Sequence, residues 1–427
     1  MLSGMSKDLL FDGDVAIAGG GLAGLTLGLA LHRAGVSVCV VDALPLDSRT
    51  APAFDGRASA LAYTSWRMLR SVGAAAHMSE HVQPIEDILV VDGRPYDGLK
   101  PGGPGREQLH FDRREISPDD DGEALGYMAE NRWTRIALAK AAEDAGLPVF
   151  APERVDCMAE DRPGRASLRL ESGKRIEARL IVACDGKFSR LREQAGIRTW
   201  GREYPQKGLV LTVAHEKSHE GVAYEFFMPA GPFAILPLPG NRSSLVWTER
   251  SAAADALKAM DEDGFQEALE ARFGDFLGAV RPDGPKWTYP LGLKAAETFI
   301  APRLALVGDA ARAIHPIAGQ GFNLGVRDAA VLAETIVEAK RAGLDPGAMA
   351  QLQPYERWRK TDSAALGIGT DFFNTLFSND HASIRLARGL GLGIVDKIPA
   401  ARRFFMRTAG GETGNLPALL RGESLSL

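Results

Sequence analysis

Three cysteines in 427 residues, Cys39, Cys157 and Cys184, stand far apart, so the chain has no metal-ligating pair and no even set for a disulfide framework. A reducing, cytoplasmic setting fits that scarcity. A basic excess is missing too: 50 Lys and Arg face 55 Asp and Glu, a net charge of −5, which argues against a nucleic-acid partner. The N-terminus has no signal-peptide core, because Lys7, Asp8, Asp12 and Asp14 interrupt it. Long apolar runs are also scarce. Val15 to Leu31 is uncharged for 17 residues, the lower edge of a membrane span, but its five glycines and weak flanks argue against a spanning helix. Internal repeats and low-complexity segments are absent. What is present is ordinary for a globular protein: 45% hydrophobic and 25% charged residues, in a length suited to roughly two or three domains.

Glycine is plentiful and grouped. The most informative stretch runs from Leu304 to Asp328, LALVGDAARAIHPIAGQGFNLGVRD. Leu304 to Val307 suits a buried strand, and Gly308-Asp309 ends it with an acid at the carboxyl edge, where open α/β sheets bind ligands. His315-Pro316 interrupts smooth helix. Gly319-Gln320-Gly321 lets backbone approach a ligand closely. Helical spacing begins at Asn323, so free N–H groups and the positive end of a helix dipole follow a glycine turn. Near the N-terminus, Asp14 to Ala18 reads as a strand entering Gly19-Gly20-Gly21-Leu22-Ala23-Gly24. A helix to Ala34 and a second strand ending at Asp42 follow. Strand, glycine turn, helix, strand and terminal acid form a dinucleotide-binding fingerprint. Gly19 would make the tight turn, Gly21 admit a pyrophosphate, and Gly24 with Gly28 let the helix lie close to the sheet. A carboxylate at Asp42 suits ribose hydroxyls and repels a 2′-phosphate.

The run GDAARAIHPIAGQGFNLGVRD resembles the second flavin-contacting motif of aromatic-ring monooxygenases of the p-hydroxybenzoate hydroxylase type. HPIAGQGFNLG with Asp328 is closest to the ubiquinone-biosynthesis hydroxylases (UbiH type). Other segments carry the same resemblance. Asp55 to Leu61 is similar to the family's D-x-R-x-x-A-L, which makes Arg57 a flavin contact or, failing that, a surface arginine. Glu130-Asn131-Arg132 is similar to an E-N-R element whose arginine reaches over the flavin, or is only a helix N-terminal turn. Asp185-Gly186 with Ser189 and Arg192 resembles the middle motif, tied to flavin binding and nicotinamide access; Cys184 stands where the family has alanine. Asp42 stands where it usually has glutamate. The implied FAD contacts are Gly19, Gly21, Gly24, Asp42, Arg57, Arg132, Val155, Asp185, Asp309, Pro316, Gly319, Gln320, Gly321 and Asn323. Only a long ligand such as FAD would join three such separated motifs. No second G-x-G-x-x-G exists, so NAD(P)H is expected as a transient co-substrate.

The expected architecture is α/β: a discontinuous Rossmann-like FAD-binding domain (1–84, 125–195 and 296–345), an antiparallel substrate domain (85–124 and 196–295) and a helical C-terminal region (346–427). Leu209 to Ala214, Val222 to Met228, Phe233 to Pro237 and Ser243 to Thr248 read as strands of one antiparallel sheet. Pro148 to Val155 reads as a further strand. From His381 to Arg407, Arg385, Arg388, Lys397, Arg402, Arg403 and Arg407 face Asp396 alone among apolar residues. That stretch is either a peripheral contact with an anionic inner-membrane surface or quinone-biosynthesis complex, or a helical cap with a solvated basic face. By the resemblance, the reaction is hydroxylation of a polyprenylated phenol in ubiquinone biosynthesis, with NAD(P)H and O2, through a flavin C4a-hydroperoxide. A small soluble phenol and a non-catalytic FAD-binding scaffold are the alternatives. His315 is the one named candidate for a catalytic group, with a structural role as its alternative; no metal is expected. A halogenase signature, W-x-W-x-x-P, is absent.

Overall fold

The computed structural model describes residues 8–45, 47–49, 56–93, 108–117, 122–313, 321–361, 396–412 and 414–427. Four uninterrupted apolar runs become the parallel heart of the larger α/β layer, as expected of strands covered on both faces. They belong to β1 (Leu9–Ala18), β2 (Val38–Val41), β11 (Arg175–Ala183) and β19 (Leu304–Leu306). β1 pairs in parallel with β11 and β2, and β11 with β19. The register sets Ala18 opposite Val41 and Ala183, and Ala183 opposite Leu306. Four chain segments therefore leave the sheet at one edge, carrying Gly19, Asp42, Asp185 and Asp309.

Two helices lie against this sheet, α1 (Leu22–Arg33) and α7 (Gly321–Arg341). Glycine sets how close they come. A Cβ on Gly24 would sit 1.9 Å from the Gly19 carbonyl oxygen, and one on Gly28 would sit 2.8 Å from a Val40 methyl. One on Gly325 of α7 would sit 3.2 Å from the Ala23 methyl of α1. Gly19, at φ +110°, turns the chain from β1 into α1.

The expected antiparallel sheet is present and larger than its four runs. It contains β12 (Thr199–His215), β13 (Val222–Met228), β14 (Gly231–Leu238), β15 (Arg242–Arg250) and β17 (Trp287–Ala296). β5 (Asp87–Asp92), in parallel with β13, and β6 (Gln108–Asp112) extend one side. One face is filled by Tyr224, Phe226, Phe233 and Trp247 against α6 (Glu262–Phe273). A small third sheet has β7 (Gly126–Glu130) between β3 (Ala58–Ala62) and β4 (Val82–Ile85). It packs over the other face of the antiparallel sheet through Met128.

The strand expected from Pro148 to Val155 is corrected. It stops after β8 (Val149–Phe150), and Val155 instead opens β9 (Val155–Arg162). Pro152 lies between them; it has no N–H to offer a ladder, so the run divides there. In the C-terminal stretch Pro399 starts a helix, Pro399–Ala409, where a missing N–H costs nothing. Arg385 and Arg388 lie outside the described residues.

A buried ionic cluster ties α7 to the strand edge. Asp328, fully buried, accepts hydrogen bonds from Arg312 Nη2 (2.8 Å), Arg359 Nε (2.6 Å) and the Gly308 backbone N–H (2.9 Å). Burial alone would raise the Asp328 pKa, but the two guanidinium groups hold it below the usual carboxylate value. Tyr355 completes the packing, donating its hydroxyl to the Leu306 carbonyl at 2.6 Å. Asp328→Asn would leave two buried cations without their counter-charge. It should cost on the order of 3–5 kcal/mol in urea unfolding; a change below about 1 kcal/mol would show that the cluster does not hold the turn.

Candidate active site

A cavity of about 710 Å³ lies between the carboxyl edge of the parallel sheet and one face of the antiparallel sheet. That size is within the range of about 300–1,000 Å³ usual for cofactor and ligand sites. Gly19, Gly21, Asp42, Asp185, Asp309 and Gly321 all line it, so the three motifs, far apart in the chain, meet in one place. Gly208, Val210, Val246 and Tyr289 form the opposite wall.

The amino ends of α1 and α7 both open on the cavity, at Gly21 and Gly321. A Cβ built on either glycine meets no atom of the described residues within 4 Å, although both line the walls. These are hollows kept empty by the lack of a side chain, next to backbone N–H groups and a positive dipole end. The pair suits a ligand with an anionic portion at one end and an electron-rich carbonyl at the other. FAD is such a ligand.

The charged groups around the cavity fit the same shape. Asp42 is 2% exposed; its carboxylate accepts from the Gly20 N–H at 2.5 Å and the Leu44 N–H at 2.9 Å. That fixes it at the end of β2, on the cavity wall. Asp309 projects into the opening from the Gly308 turn, where Gly308 adopts φ +64°. The surrounding protein raises its carboxyl pKa, while Arg57, Lys187 and Arg312 pull it down. Arg57 itself lies over the Tyr289 ring, 5.3 Å from the centroid. A polar acid among three cations can hold hydroxyl groups without facing an unscreened anion.

Other expected site residues hold the cavity's frame rather than its surface. Gly24 is spent on helix packing. Asn323 donates to the Ala60 carbonyl (2.7 Å) and accepts from the Ala62 N–H (3.0 Å), so its amide pins α7 to the edge of β3. Arg132 is not on the cavity wall; it pairs with Glu130 at 3.2 Å and lies over Trp133. Arg135, one turn further along α3 (Asn131–Ala145), lines the cavity instead. Helical spacing from Arg132 could have pointed to it. Val155 does line the cavity, beside Glu153 and Arg154. Arg192 of the middle motif is buried and turned away: it donates to the Ala310 carbonyl at 2.9 Å and the Lys187 carbonyl at 3.1 Å, clamping two cavity turns together. His315, Pro316, Gly319 and Gln320 lie outside the described residues. No group of metal-ligating residues occurs among the described residues.

Comparison with known proteins agrees with this geometry. Residues 12–361 match the family model described as an FAD binding domain. The chain is 47% identical to ubiquinone hydroxylase UbiL of Rhodospirillum rubrum, over 96% of this chain and 93% of that protein. It is 31% identical to the 3-demethoxyubiquinol 3-hydroxylase of Escherichia coli, over 93% of this chain and 98% of that one. Among solved structures, p-nitrophenol 4-monooxygenase PnpA of Pseudomonas putida superposes with a TM-score of 0.74 at 19% identity, covering 94% of this chain and 98% of that one. That last likeness speaks to fold.

Gly21→Val tests the first hollow. Because a side chain there meets no protein atom, the apoprotein should melt within a degree or two of wild type. FAD should be lost on gel filtration, with an affinity at least tenfold lower. A valine variant that keeps its full yellow spectrum would remove Gly21 from the cofactor site.

Proposed function

We propose a reaction from one premise: the chain belongs to the FAD-binding-domain family of flavoprotein monooxygenases, within its ubiquinone-hydroxylase branch. The substrate is a polyprenylated phenol of ubiquinone biosynthesis, hydroxylated on its ring with NAD(P)H as hydride donor and O2 as oxidant. The observation that carries this reading is the single cavity in which the three motifs face the open side of the antiparallel sheet. Bound FAD supplies the redox chemistry, accepting hydride and delivering one oxygen atom of O2 to an electron-rich ring.

The chain's own part is binding, orientation and exclusion of water. The amino end of α1, at Gly21, takes the pyrophosphate, and Asp42 takes the adenosine ribose hydroxyls. Asp309 holds the ribityl chain. The amino end of α7, at Gly321, would hold the electron-rich carbonyl edge of the flavin, where a fixed dipole favours negative charge. Val210, Val246 and Gly208 give the ring a wall with no polar atom in its side chains, which keeps water from the reacting centre. Arg192 and Asp328 are positioning residues: each holds the Gly308 to Ala310 turn from behind.

A polyprenyl tail implies a lipid surface, and the helix Pro399–Ala409 offers one face to it. Ile398 is 46% exposed and Phe404 67%, beside exposed Lys397, Arg403 and Arg407. The same helix is anchored on its other side by buried Met406 and by Arg402, 2.9 Å from Glu115. Exposed aromatic and aliphatic side chains among cations suit the surface of an anionic bilayer. No described helix is long and apolar enough to cross a membrane.

Three measurements test these readings. Purified holoenzyme should oxidise NAD(P)H several-fold faster with a prenylated phenol and release the hydroxylated ring; oxidation indifferent to any phenol would sink the reaction. Asp309→Ala should lose bound FAD and turnover together. For the surface, Phe404→Asp should cut co-sedimentation with phosphatidylglycerol vesicles at least fivefold while leaving FAD content unchanged. Undiminished sedimentation would sink the membrane contact.

A further inference from the structure

One carboxyl group in the antiparallel sheet is left out of every interaction described above. Strand pairing sets Glu225 of β13 opposite Ala234 of β14, Ala234 opposite Val246 of β15, and Val246 opposite Val210 of β12. Residues directly opposite in antiparallel strands share a face, so these four form one row. Val246 and Val210 line the cavity. The row therefore leads from the cavity wall to Glu225 across two interstrand steps, about 10 Å between backbones, a distance that an aromatic ring lying along the row can bridge.

The surroundings of Glu225 give its carboxyl no structural role. The same face carries Ala223, Ala234 and Val246, and the small third sheet covers it with Met128, Ala58 and Ala60. Oε1 is buried and meets no donor among the described residues. Burial raises the Glu225 pKa to about 8, with no cation or hydrogen bond to offset it. Burying a polar group without a partner costs stability. A glutamate needed only for packing would be replaceable by a larger apolar residue at no such cost. The residue nevertheless keeps some accessible surface.

Resting on the reading of the substrate as a phenol, we propose that Glu225 is a substrate-binding residue that accepts a hydrogen bond from the hydroxyl of the aromatic ring, and so orients that ring against the Val246–Val210 wall. The bond satisfies a buried acceptor that the described residues leave open. It also makes the site discriminate: a ring without a hydroxyl leaves the carboxyl unpartnered, and that penalty falls on binding.

The test is a binding cycle on FAD-loaded enzyme, read by perturbation of the flavin absorbance, with a geranylated phenol and with geranylbenzene, which lacks only the hydroxyl. Wild type should bind the phenol at least tenfold more tightly than the hydrocarbon. Glu225→Leu should abolish that preference by weakening the phenol tenfold or more, with the hydrocarbon changed less than twofold. Glu225→Gln keeps shape and one acceptor, so it should fall between and remains informative if the leucine variant folds poorly. If wild type prefers the phenol and both variants keep that preference, or if they lose both ligands equally, the assignment of Glu225 is overturned while the proposed reaction stands. If wild type binds neither ligand, the phenol reading fails and takes this one with it.

Discussion

The cavity depends first on Asp328. Its carboxylate is buried on α7 and holds the Gly308 N–H with one oxygen and Arg312 and Arg359 with the other. These partners come from a strand edge, a short strand and the helix spanning residues 349–361, all distant in sequence. One charged group thus fixes where β19 ends, how α7 is seated and which way Asp309 projects. Two buried cations around one anion is a configuration that stabilises little by itself, since desolvation consumes most of the attraction, yet breaking it is expensive. The asymmetry suits a device for positioning: it permits one arrangement and penalises the rest.

Position matters because the cofactor site is assembled from backbone more than from side chains. Gly19 and Gly24 bring α1 and a strand end closer than any Cβ would allow, and Gly325 seats α7 where a Cβ would be tight against α1. Gly21 and Gly321 then leave hollows at the helix ends so formed. A dipole end acts only over about one helical turn, so an error of an ångström or two in seating either helix would remove its effect. Arg192 serves the same purpose from the other side, joining the turn at Lys187 to the turn at Ala310.

This explains what could be read from the sequence. The strand–turn–helix–strand unit at residues 14–42 is local, and its glycines carry their reasons within a few residues. The acids at strand ends were legible for the same reason, because a strand's carboxyl edge is where α/β sheets bind ligands. Arg132 and Asn323 were harder. Both belong to motif-like segments, but their side chains are taken by Glu130 and by the β3 edge, contacts that depend on tertiary placement. Arg135 was reachable only by stepping one helical turn from Arg132, because the motif itself does not say which turn of α3 faces the cavity. Arg359 could not be paired with Asp328 for the same reason: their 31-residue separation is bridged only by the fold. Glu225 gave least warning, since one acid in a run of apolar strand residues reads as an edge position.

The antiparallel sheet supplies the last constraint through the difference between its faces. On one face Tyr224, Phe226, Phe233 and Trp247 fill the space beneath the helices with aromatic volume. On the other, the same strands carry Ala223, Ala234, Val246, Val210 and Gly208. Protein interiors close to crystal-like density when side chains permit it, so a face of small residues stays open only where larger ones are absent and the covering layer is held off. Here the third sheet, pinned by Asn323 to α7, sets that distance. The part of that face left to the cavity is the small one, at Gly208, Val210 and Val246. The alternation along β13, β14 and β15 therefore puts aromatic volume on the packed face, while β12 and β15 give the cavity a wall of small apolar side chains.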